Sequence, residues 1–141
     1  AIGKEWDGPF AIKGVCSVED AVKAADIGAS AVILSNHGGR QLDFAASPIS
    51  ILPDVAEAVG SRLEIILDGG VRRGTDVIKA LALGATACMI GRPYLFGLGV
   101  SGETGVAKAL TILRTEVERC MGLLGCCSIK EISKEFLNER R

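Results

Sequence analysis

Four short apolar runs, each followed by a stretch with helical periodicity, constrain the fold of this chain more than any other feature. The runs lie at residues 10–12, 31–34, 63–67 and 87–90, and each ends at a glycine or a polar turn. Short apolar runs of this kind are typical of buried strands, and helices between them favour parallel pairing. The sequence therefore predicts an α/β fold with four parallel βα units and additional C-terminal helices.

The boundaries of the predicted helices come from capping residues and from glycines. Ser17 with Asp20, and Ser128 with Glu131, have the spacing of a capping box, in which a side chain at each end of the first turn bonds the other's backbone. Ser47 stands before a proline, which is typical of the first helical position. The predicted helices cover about residues 17–27, 47–59, 76–83 and 105–124, with a short helix from residue 128.

An internal repeat with an offset of 56 residues supports this organisation. Residues 20–24 align with residues 76–80, and residues 28–31 align with residues 84–87. A repeat that covers two βα units favours a barrel built from repeated modules. Four units are half of a (β/α)8 TIM barrel, and an open half leaves two strand edges and an apolar inner face exposed. We therefore expect residues 1–141 to form one half-barrel that needs a complementary half.

Composition excludes several classes of partner. The hydrophobic fraction of 48% and the charged fraction of 23% are typical of a globular protein. The net charge of −1 argues against a surface that binds nucleic acid or an anionic membrane. Aromatic residues make up only 4%, too few for a base-stacking platform. No apolar run approaches the roughly 18–20 residues of a transmembrane segment, and charges at Lys4, Glu5 and Asp7 argue against a signal peptide. The expected location is the cytoplasm or the periphery of a membrane.

The five cysteines are interpreted as thiols of a protein from a reducing compartment. Cys126 and Cys127 are adjacent, which is a poor geometry for a mutual disulfide. The sequence has neither the C-x2-C pairs nor the additional histidines that a zinc site requires. We expect no metal ion. A reactive thiol at Cys16 or Cys127 is an alternative that no neighbouring base supports.

The only histidine lies in the run Ser35-Asn36-His37-Gly38-Gly39-Arg40-Gln41, directly after the second predicted strand. Ligands of α/β proteins bind at the carboxyl ends of the strands. An imidazole exchanges protons near neutral pH, and a guanidinium three residues away binds carboxylates. His37 and Arg40 therefore indicate chemistry on an organic acid, the alternative being that His37 is a hydrogen-bonded structural residue.

Two glycine loops, residues 68–72 and 91–92, follow the third and fourth strands and carry Arg72 and Arg92. Glycines let backbone amides approach an anion, so the two loops together predict a phosphate site, the alternative being tight turns alone. Asp68 is predicted to bond either ligand hydroxyls or the amides of its own loop. Lys13, at the end of the first strand, either stabilises negative charge on a ligand or is an ordinary surface lysine.

These segments resemble the FMN-dependent 2-hydroxy acid dehydrogenase/oxidase family. Residues 35–41 are similar to the family's active-site signature. Residues 67–85, LDGGVRRGTDVIKALALGA, and residues 90–93, IGRP, are similar to its FMN-phosphate segments. The resemblance covers nearly the whole chain but only the C-terminal half of the family's barrel.

The resemblance implies FMN as the cofactor and a role for each matched residue. His37 resembles the catalytic base, Arg40 the arginine that binds the substrate carboxylate, and Lys13 the lysine near flavin N1 and O2. Ser35 resembles a contact to the flavin ring. The residues that resemble the ribityl- and phosphate-binding segments are Asp68, Gly69, Gly70, Val71, Arg72, Gly91 and Arg92.

The implied reaction is oxidation of an L-2-hydroxy acid, lactate-like or glycolate-like, to the 2-oxo acid. His37 removes either the hydroxyl proton, as hydride passes to the flavin, or the α-proton, and the sequence does not choose between these routes. The missing half-barrel is expected to supply further contacts to substrate and flavin, and the family implies a tetramer. The alternatives are a non-catalytic half-barrel that binds FMN or phosphate, and another phosphate-binding barrel enzyme. An IMP-dehydrogenase-like protein shares the Asp-Gly-Gly loop, but the histidine run is not expected there.

Overall fold

A sheet of four parallel strands organises the chain, of which the structure, a computed structural model, describes residues 5–138. The strands pair in the order β1-β2-β3-β4. Their bounds are β1 Ala11–Val15, β2 Ala31–Ser35, β3 Glu64–Asp68 and β4 Ala87–Met89. Because consecutive strands are neighbours and parallel, each is joined to the next by a crossover, and the predicted βα arrangement is confirmed.

Within residues 5–138, four helices of eight or more residues accompany the strands: α1 Val18–Asp26, α2 Pro48–Val59, α3 Gly74–Ala82 and α4 Arg92–Leu124. Short 3₁₀ turns lie at His37–Gly39, Ile129–Glu131 and Lys134–Phe136. Helices α1 and α3 start 56 residues apart in the sequence and also end 56 residues apart. Strands β2 and β4 start at the same spacing. The sequence repeat therefore corresponds to a repeated structural unit.

Helix α4 begins earlier than the predicted helix at residue 105. Its first segment contains Gly97 and Gly99, which have low helix propensity and concealed it in the sequence. The backbone leaves helical geometry at Ser101 and Gly102, so α4 consists of two segments. A Cβ atom added to Gly97 would lie 2.4 Å from the carbonyl oxygen of Gly105. The glycines therefore let the two segments pack backbone against backbone.

The two predicted capping boxes have different outcomes. Ser17 caps α1, since its Oγ accepts a hydrogen bond from the Asp20 amide at 3.1 Å. At residue 128 the predicted short helix forms as a single 3₁₀ turn, Ile129–Glu131, with Ser128 at its N-cap. The hydroxyl of Ser128 accepts from the Lys130 amide, and Glu131 accepts from the amide of Cys127 instead of Ser128.

The two faces of the sheet have different surroundings. Val32, Leu34, Ile65 and Leu67 are at most 2% exposed and belong to the hydrophobic core. Leu52, Val55 and Val59 of α2 are part of the same core. The alternate residues of these strands point to the opposite face, because side chains alternate along a strand. The helices therefore cover one face of the sheet.

The opposite face carries partly exposed residues along all four strands. Lys13 of β1 pairs with Ile33 of β2, and Ser35 pairs with Asp68 of β3, which in turn pairs with Met89 of β4. Ile33 is half-buried and Met89 is 39% exposed. In a closed barrel this would be the inner face, and its polar residues stand at the carboxyl ends of the strands.

Strand β1 is longer than the predicted run of residues 10–12, because it continues through Gly14 to Val15. The pairing with β2 skips one residue, since Lys13 pairs with Ile33 whereas Val15 pairs with Leu34. Gly14 is thus the extra residue of a β-bulge. The bulge leaves Lys13 on the inner face while Val15, only 4% exposed, joins the core.

All five cysteines are free thiols, with Cys126 buried and Cys127 exposed. Burial raises the pKa of the Cys88 thiol to about 11, and the charge of Asp76 adds to the effect. Between residues 5 and 138 no group of three potential metal-ligating side chains is present. Over the same range, no helix has both the length and the apolarity that a membrane crossing requires.

Candidate functional site

Lys13, Ser35 and Asp68 form a polar network at the carboxyl ends of the first three strands. The Lys13 Nζ donates to the Ser35 Oγ at 3.0 Å and forms an ion pair with the Asp68 carboxylate. The Ser35 Oγ donates to Asp68 Oδ2 at 2.8 Å and accepts from the amide of His37 at 3.2 Å. A hydroxyl has one donor and two acceptor positions, so every position on Ser35 is used. This explains how a fully buried serine is tolerated.

The network sets the charge of Asp68. Burial alone would raise the pKa of this carboxyl group. Hydrogen bonds from Lys13 and Ser35, together with the charges of Lys13 and His37, outweigh burial and lower the pKa below its ordinary value. Asp68 is therefore ionised at neutral pH and holds the Lys13 ammonium at the mouth of the sheet.

The lowered pKa of Asp68 predicts a pH-dependent contribution to stability. A carboxyl group whose pKa is lower in the folded state stabilises the protein above its unfolded pKa of about 4, and the contribution is lost as the pH falls through the folded value. Asp68→Asn is expected to lower the free energy of unfolding near neutral pH, because it removes the ion pair with Lys13. The expected loss is only about 1 kcal/mol, since the lysine is partly exposed and water weakens the pair. Urea unfolding near pH 7 and near pH 3 measures this difference.

Near pH 3 the difference between the protein and Asp68→Asn is expected to shrink, because the carboxyl group is then losing its charge. Asp43→Asn, on the exposed loop outside the polar network, controls for general effects of removing a carboxylate. A difference for Asp68→Asn that stays constant between the two pH values would contradict the prediction.

The loop that carries His37 is held in an unusual backbone conformation. His37 has φ +56°, in the left-handed region that few residues other than glycine adopt. The Asn36 Oδ1 accepts from the Gly38 amide at 3.0 Å, and the Asn36 Nδ2 donates to the carbonyl of Ala46 at 3.3 Å. With the bond from the His37 amide to Ser35, these contacts fix the turn. Such fixed, strained residues occur most often at functional sites.

An open cavity of about 570 Å³ lies above the carboxyl ends of the strands. This volume is within the range of small-molecule sites, about 300–1,000 Å³. The predicted site residues that line it are Lys13, His37, Arg40, Asp68, Gly69, Gly70, Val71, Arg72, Gly91 and Arg92. Ser35 instead lies buried beneath the cavity, in contact with Lys13, Asp68 and the His37 amide.

The two glycine loops present open backbone to this cavity. Gly69 and Gly70 have φ of +119° and +79°, and a Cβ atom added to Gly70 or Gly91 would meet nothing within 4 Å. The Asp76 carboxylate accepts from the amides of Arg72 and Arg73 at 2.9 and 3.0 Å, which ties the first loop to the start of α3. An anion can therefore approach the glycine backbone beside the N-terminus of a helix.

Arg92 connects the second glycine loop with the histidine loop. Its Nη2 donates to the carbonyl oxygen of Gly38 at 2.8 Å. A Cβ atom added to Gly38 would lie 2.6 Å from this nitrogen, so a side chain at this position would displace the guanidinium from its bond. The bond thus links the second glycine loop, at one end of the cavity, to the histidine loop at the other end.

The charge of the cavity lining determines what it can bind. Lys13, Arg40, Arg72 and Arg92 are cationic, whereas Asp68 is the one carboxylate among the lining residues that the structure describes. The excess of cations favours a ligand with anionic groups, and guanidinium groups suit phosphate and carboxylate. His37 adds an imidazole to the lining, whose two ring nitrogens can form hydrogen bonds with a ligand.

The family comparison decides the relationship of this chain to known proteins. The profile of a family described as FMN-dependent dehydrogenase matches residues 1–139. The chain belongs to this family. FMN is the family's cofactor, and the cation-lined cavity with its open glycine loops fits a phosphate-bearing flavin.

Curated relatives of the chain include enzymes with several names. It is 52% identical over 132 residues to the pre-mycofactocin synthase of Mycolicibacterium smegmatis, covering 94% of this chain and 33% of that protein. It is 49% identical over 135 residues to a peroxisomal (S)-2-hydroxyacid oxidase of Arabidopsis thaliana, covering 94% and 37%. It is 51% identical to the L-lactate dehydrogenase (cytochrome) of Saccharomyces cerevisiae, covering 92% and 23%. The chain thus spans between 23% and 37% of the length of these relatives.

Solved structures support the predicted barrel. An arginine-to-lysine variant of flavocytochrome b2 superposes with a TM-score of 0.93 at 48% identity, covering 97% of this chain and 37% of that chain. Mandelate oxidase superposes with a TM-score of 0.91 at 44% identity, covering 94% and 40%. The family membership and the α/β fold, as part of a TIM barrel, are confirmed.

Two residues of the site were not recognised as part of it from the sequence. Gly14 forms the bulge that turns Lys13 toward the cavity, and Asp76 holds the first glycine loop. An isolated glycine within a strand-like run is a signal for a bulge and could have identified Gly14. The amides that Asp76 binds are only three and four residues away, but this spacing has no unique interpretation.

Proposed function

We propose that this chain is the FMN- and substrate-binding half of an enzyme that oxidises a 2-hydroxy acid to the 2-oxo acid. One observation supports the proposal above all others: His37 and Arg40 line the same cavity as the two arginine-bearing glycine loops. A base, a carboxylate-binding group and an anion site thereby line the same cavity. This combination is what the oxidation of an organic acid by a phosphorylated cofactor requires.

The residues around the glycine loops are proposed to hold the cofactor. Arg72 and Arg92, with the backbone of Gly70 and Gly91, would bind its phosphate, because guanidinium groups and open amides favour a dianion. The Asp68 carboxylate would accept hydrogen bonds from ribityl hydroxyls. When bound, FMN supplies the acceptor for the two electrons that leave the substrate carbon.

Three further residues are proposed to act on the reacting groups. The Lys13 ammonium would stabilise negative charge that develops on the ring, and Ser35 would orient that ammonium from below. The Arg40 guanidinium would bind the substrate carboxylate. His37 would accept the hydroxyl proton of the substrate. Removing this proton prevents positive charge from building up on the product oxygen.

The uncovered inner face supports the requirement for a second half. Ile33 and Ile66 are only half-buried, and Met89 is 39% exposed, although apolar side chains on the inner face of a barrel are normally packed. Strands β1 and β4 are the edges of the sheet. We propose that four further βα units close the barrel and complete the substrate pocket.

The test of this proposal uses the complete FMN-loaded protein under anaerobic conditions. Mixing with lactate or glycolate is expected to bleach the flavin absorbance, with the 2-oxo acid formed in equal amount. The matched control is 1,2-propanediol, which has the hydroxyl group of lactate without the carboxylate and should leave the flavin oxidised. Bleaching by the diol at a similar rate would contradict the role of the carboxylate site. Bound flavin that no 2-hydroxy acid reduces would contradict the proposal and leave the non-catalytic alternative and the second candidate below.

A second candidate function is that of a synthase acting on a different substrate. The 52% identity to the pre-mycofactocin synthase of Mycolicibacterium smegmatis favours this candidate. This candidate would use the same cofactor site and would differ in what the rest of the barrel binds. The anaerobic experiment separates the two, because a synthase of this kind is not expected to be reduced by lactate or glycolate.

A further inference from the structure

The β-bulge at Gly14 places backbone without a side chain next to the loop that carries His37. Gly14 has φ +93°, a conformation that side-chain-bearing residues rarely adopt. A Cβ atom added to it would lie 2.9 Å from Cε1 of the His37 imidazole and 3.6 Å from its Nε2. The ring edge therefore rests directly against the backbone of β1.

The geometry makes the imidazole the group that must yield to any side chain at this position. Cε1 lies at the far end of a side chain that can rotate, whereas Gly14 is fixed by the pairing of Lys13 and Val15 with β2. The His37 backbone is also fixed, through the bond from its amide to Ser35. A Cβ atom at residue 14 would thus rotate the ring and leave the loop in place.

We propose that Gly14 is a positioning residue for His37: the missing side chain at the bulge seats the imidazole at the mouth of the sheet. The inference rests on the proposed role of His37 as the base. The same bulge turns Lys13 toward the cavity, so one backbone irregularity aligns the ammonium and the imidazole. Misplacing a reacting group by about 1 Å costs roughly 100-fold in rate, which sets the scale of the effect.

The experiment compares Gly14→Ala with Gly28→Ala in the complete FMN-loaded protein. Gly28 also has a left-handed backbone, with φ +81°, but a Cβ atom there meets nothing within 4 Å. Gly14→Ala is expected to lower kcat for flavin reduction by about 10- to 100-fold, with KM and the FMN dissociation constant unchanged. Gly28→Ala, which bears the same kind of backbone strain far from the ring, is expected to retain kcat.

A double-mutant cycle with His37→Gln distinguishes positioning from a general structural role. Once the imidazole is absent, Gly14→Ala is expected to cause no further loss, because its effect acts through the ring. A further loss in that background, or an equal loss in Gly28→Ala, would overturn the inference while leaving the proposed base intact. Unchanged activity in His37→Gln alone would instead overturn the proposed base and, with it, the positioning role.

Gly14→Asn is the second variant, because asparagine tolerates positive φ better than alanine but still carries a Cβ atom. It is expected to retain FMN and to show the same loss of kcat as Gly14→Ala. If neither variant retains FMN while Gly28→Ala does, the backbone moves instead of the ring, and the inference is wrong.

Discussion

His37→Gln is expected to lower the rate of flavin reduction by 2-hydroxy acid by a factor of about 10² to 10⁴, which is the typical contribution of a positioned base. Glutamine has hydrogen-bonding groups but does not accept a proton near neutral pH. The backbone contacts of the loop, from Ser35 and Asn36, do not depend on the side chain at residue 37. The variant should therefore fold and keep its cofactor, so that the loss appears in kcat. Anaerobic stopped-flow measurement of flavin bleaching gives the rate.

The matched control for His37→Gln is Asp43→Asn, which changes a titratable group further along the same loop. It is expected to reduce flavin at the rate of the unmodified protein. A His37→Gln variant that retains that rate would eliminate the imidazole as the base. Loss of FMN from His37→Gln would instead show that His37 is a structural residue, which is the alternative given in the sequence analysis.

Arg72→Ala and Arg92→Ala are each expected to weaken FMN binding by about 10- to 100-fold. A hydrogen bond to a charged group contributes about 1.5–3 kcal/mol, which corresponds to a change of this size in the dissociation constant. Titration of the cofactor-free protein with FMN, followed by flavin fluorescence, measures the constant. Riboflavin, which lacks the phosphate, should bind the variants and the unmodified protein with equal affinity.

Arg73→Ala is the matched control for Arg72→Ala. Arg73 is exposed, its amide is held by the same Asp76 carboxylate, and it is not among the described residues that line the cavity. Its loss is expected to leave FMN affinity unchanged. An equal effect in Arg72→Ala and Arg73→Ala would show that general positive charge, and not a specific phosphate contact, attracts the cofactor.

The sequence predicted the order of strands and helices because each element has a local signal. Apolar runs bounded by glycine mark β2, β3 and β4, and Ser17 marks the start of α1. The first segment of α4 was missed because its glycines have low helix propensity, whereas in the fold they let the backbones of Gly97 and Gly105 pack closely. Tertiary packing, in this case, overrides a weak local preference.

The sequence also predicted which residues meet at the cavity, because the carboxyl ends of parallel strands share one edge of the sheet. It did not predict their contacts. The Lys13–Asp68 ion pair joins residues 55 positions apart, and its geometry depends on the register of three strands and on the bulge at Gly14. The isolated glycine at residue 14 could have signalled the bulge, but the register arises from the assembled sheet, so no local pattern could specify the whole network. The roles of the individual residues stay predictions.

The guanidinium of Arg92 is shared between two ends of one cavity. Its bond to the Gly38 carbonyl holds the turn that carries the imidazole, and its position on the second glycine loop makes it available to an anion. Any ligand that draws this side chain away removes a restraint from the turn beside it. If a ligand broke this bond, occupancy at one end would be thermodynamically linked to order at the other, and by reciprocity a tighter turn would disfavour that ligand.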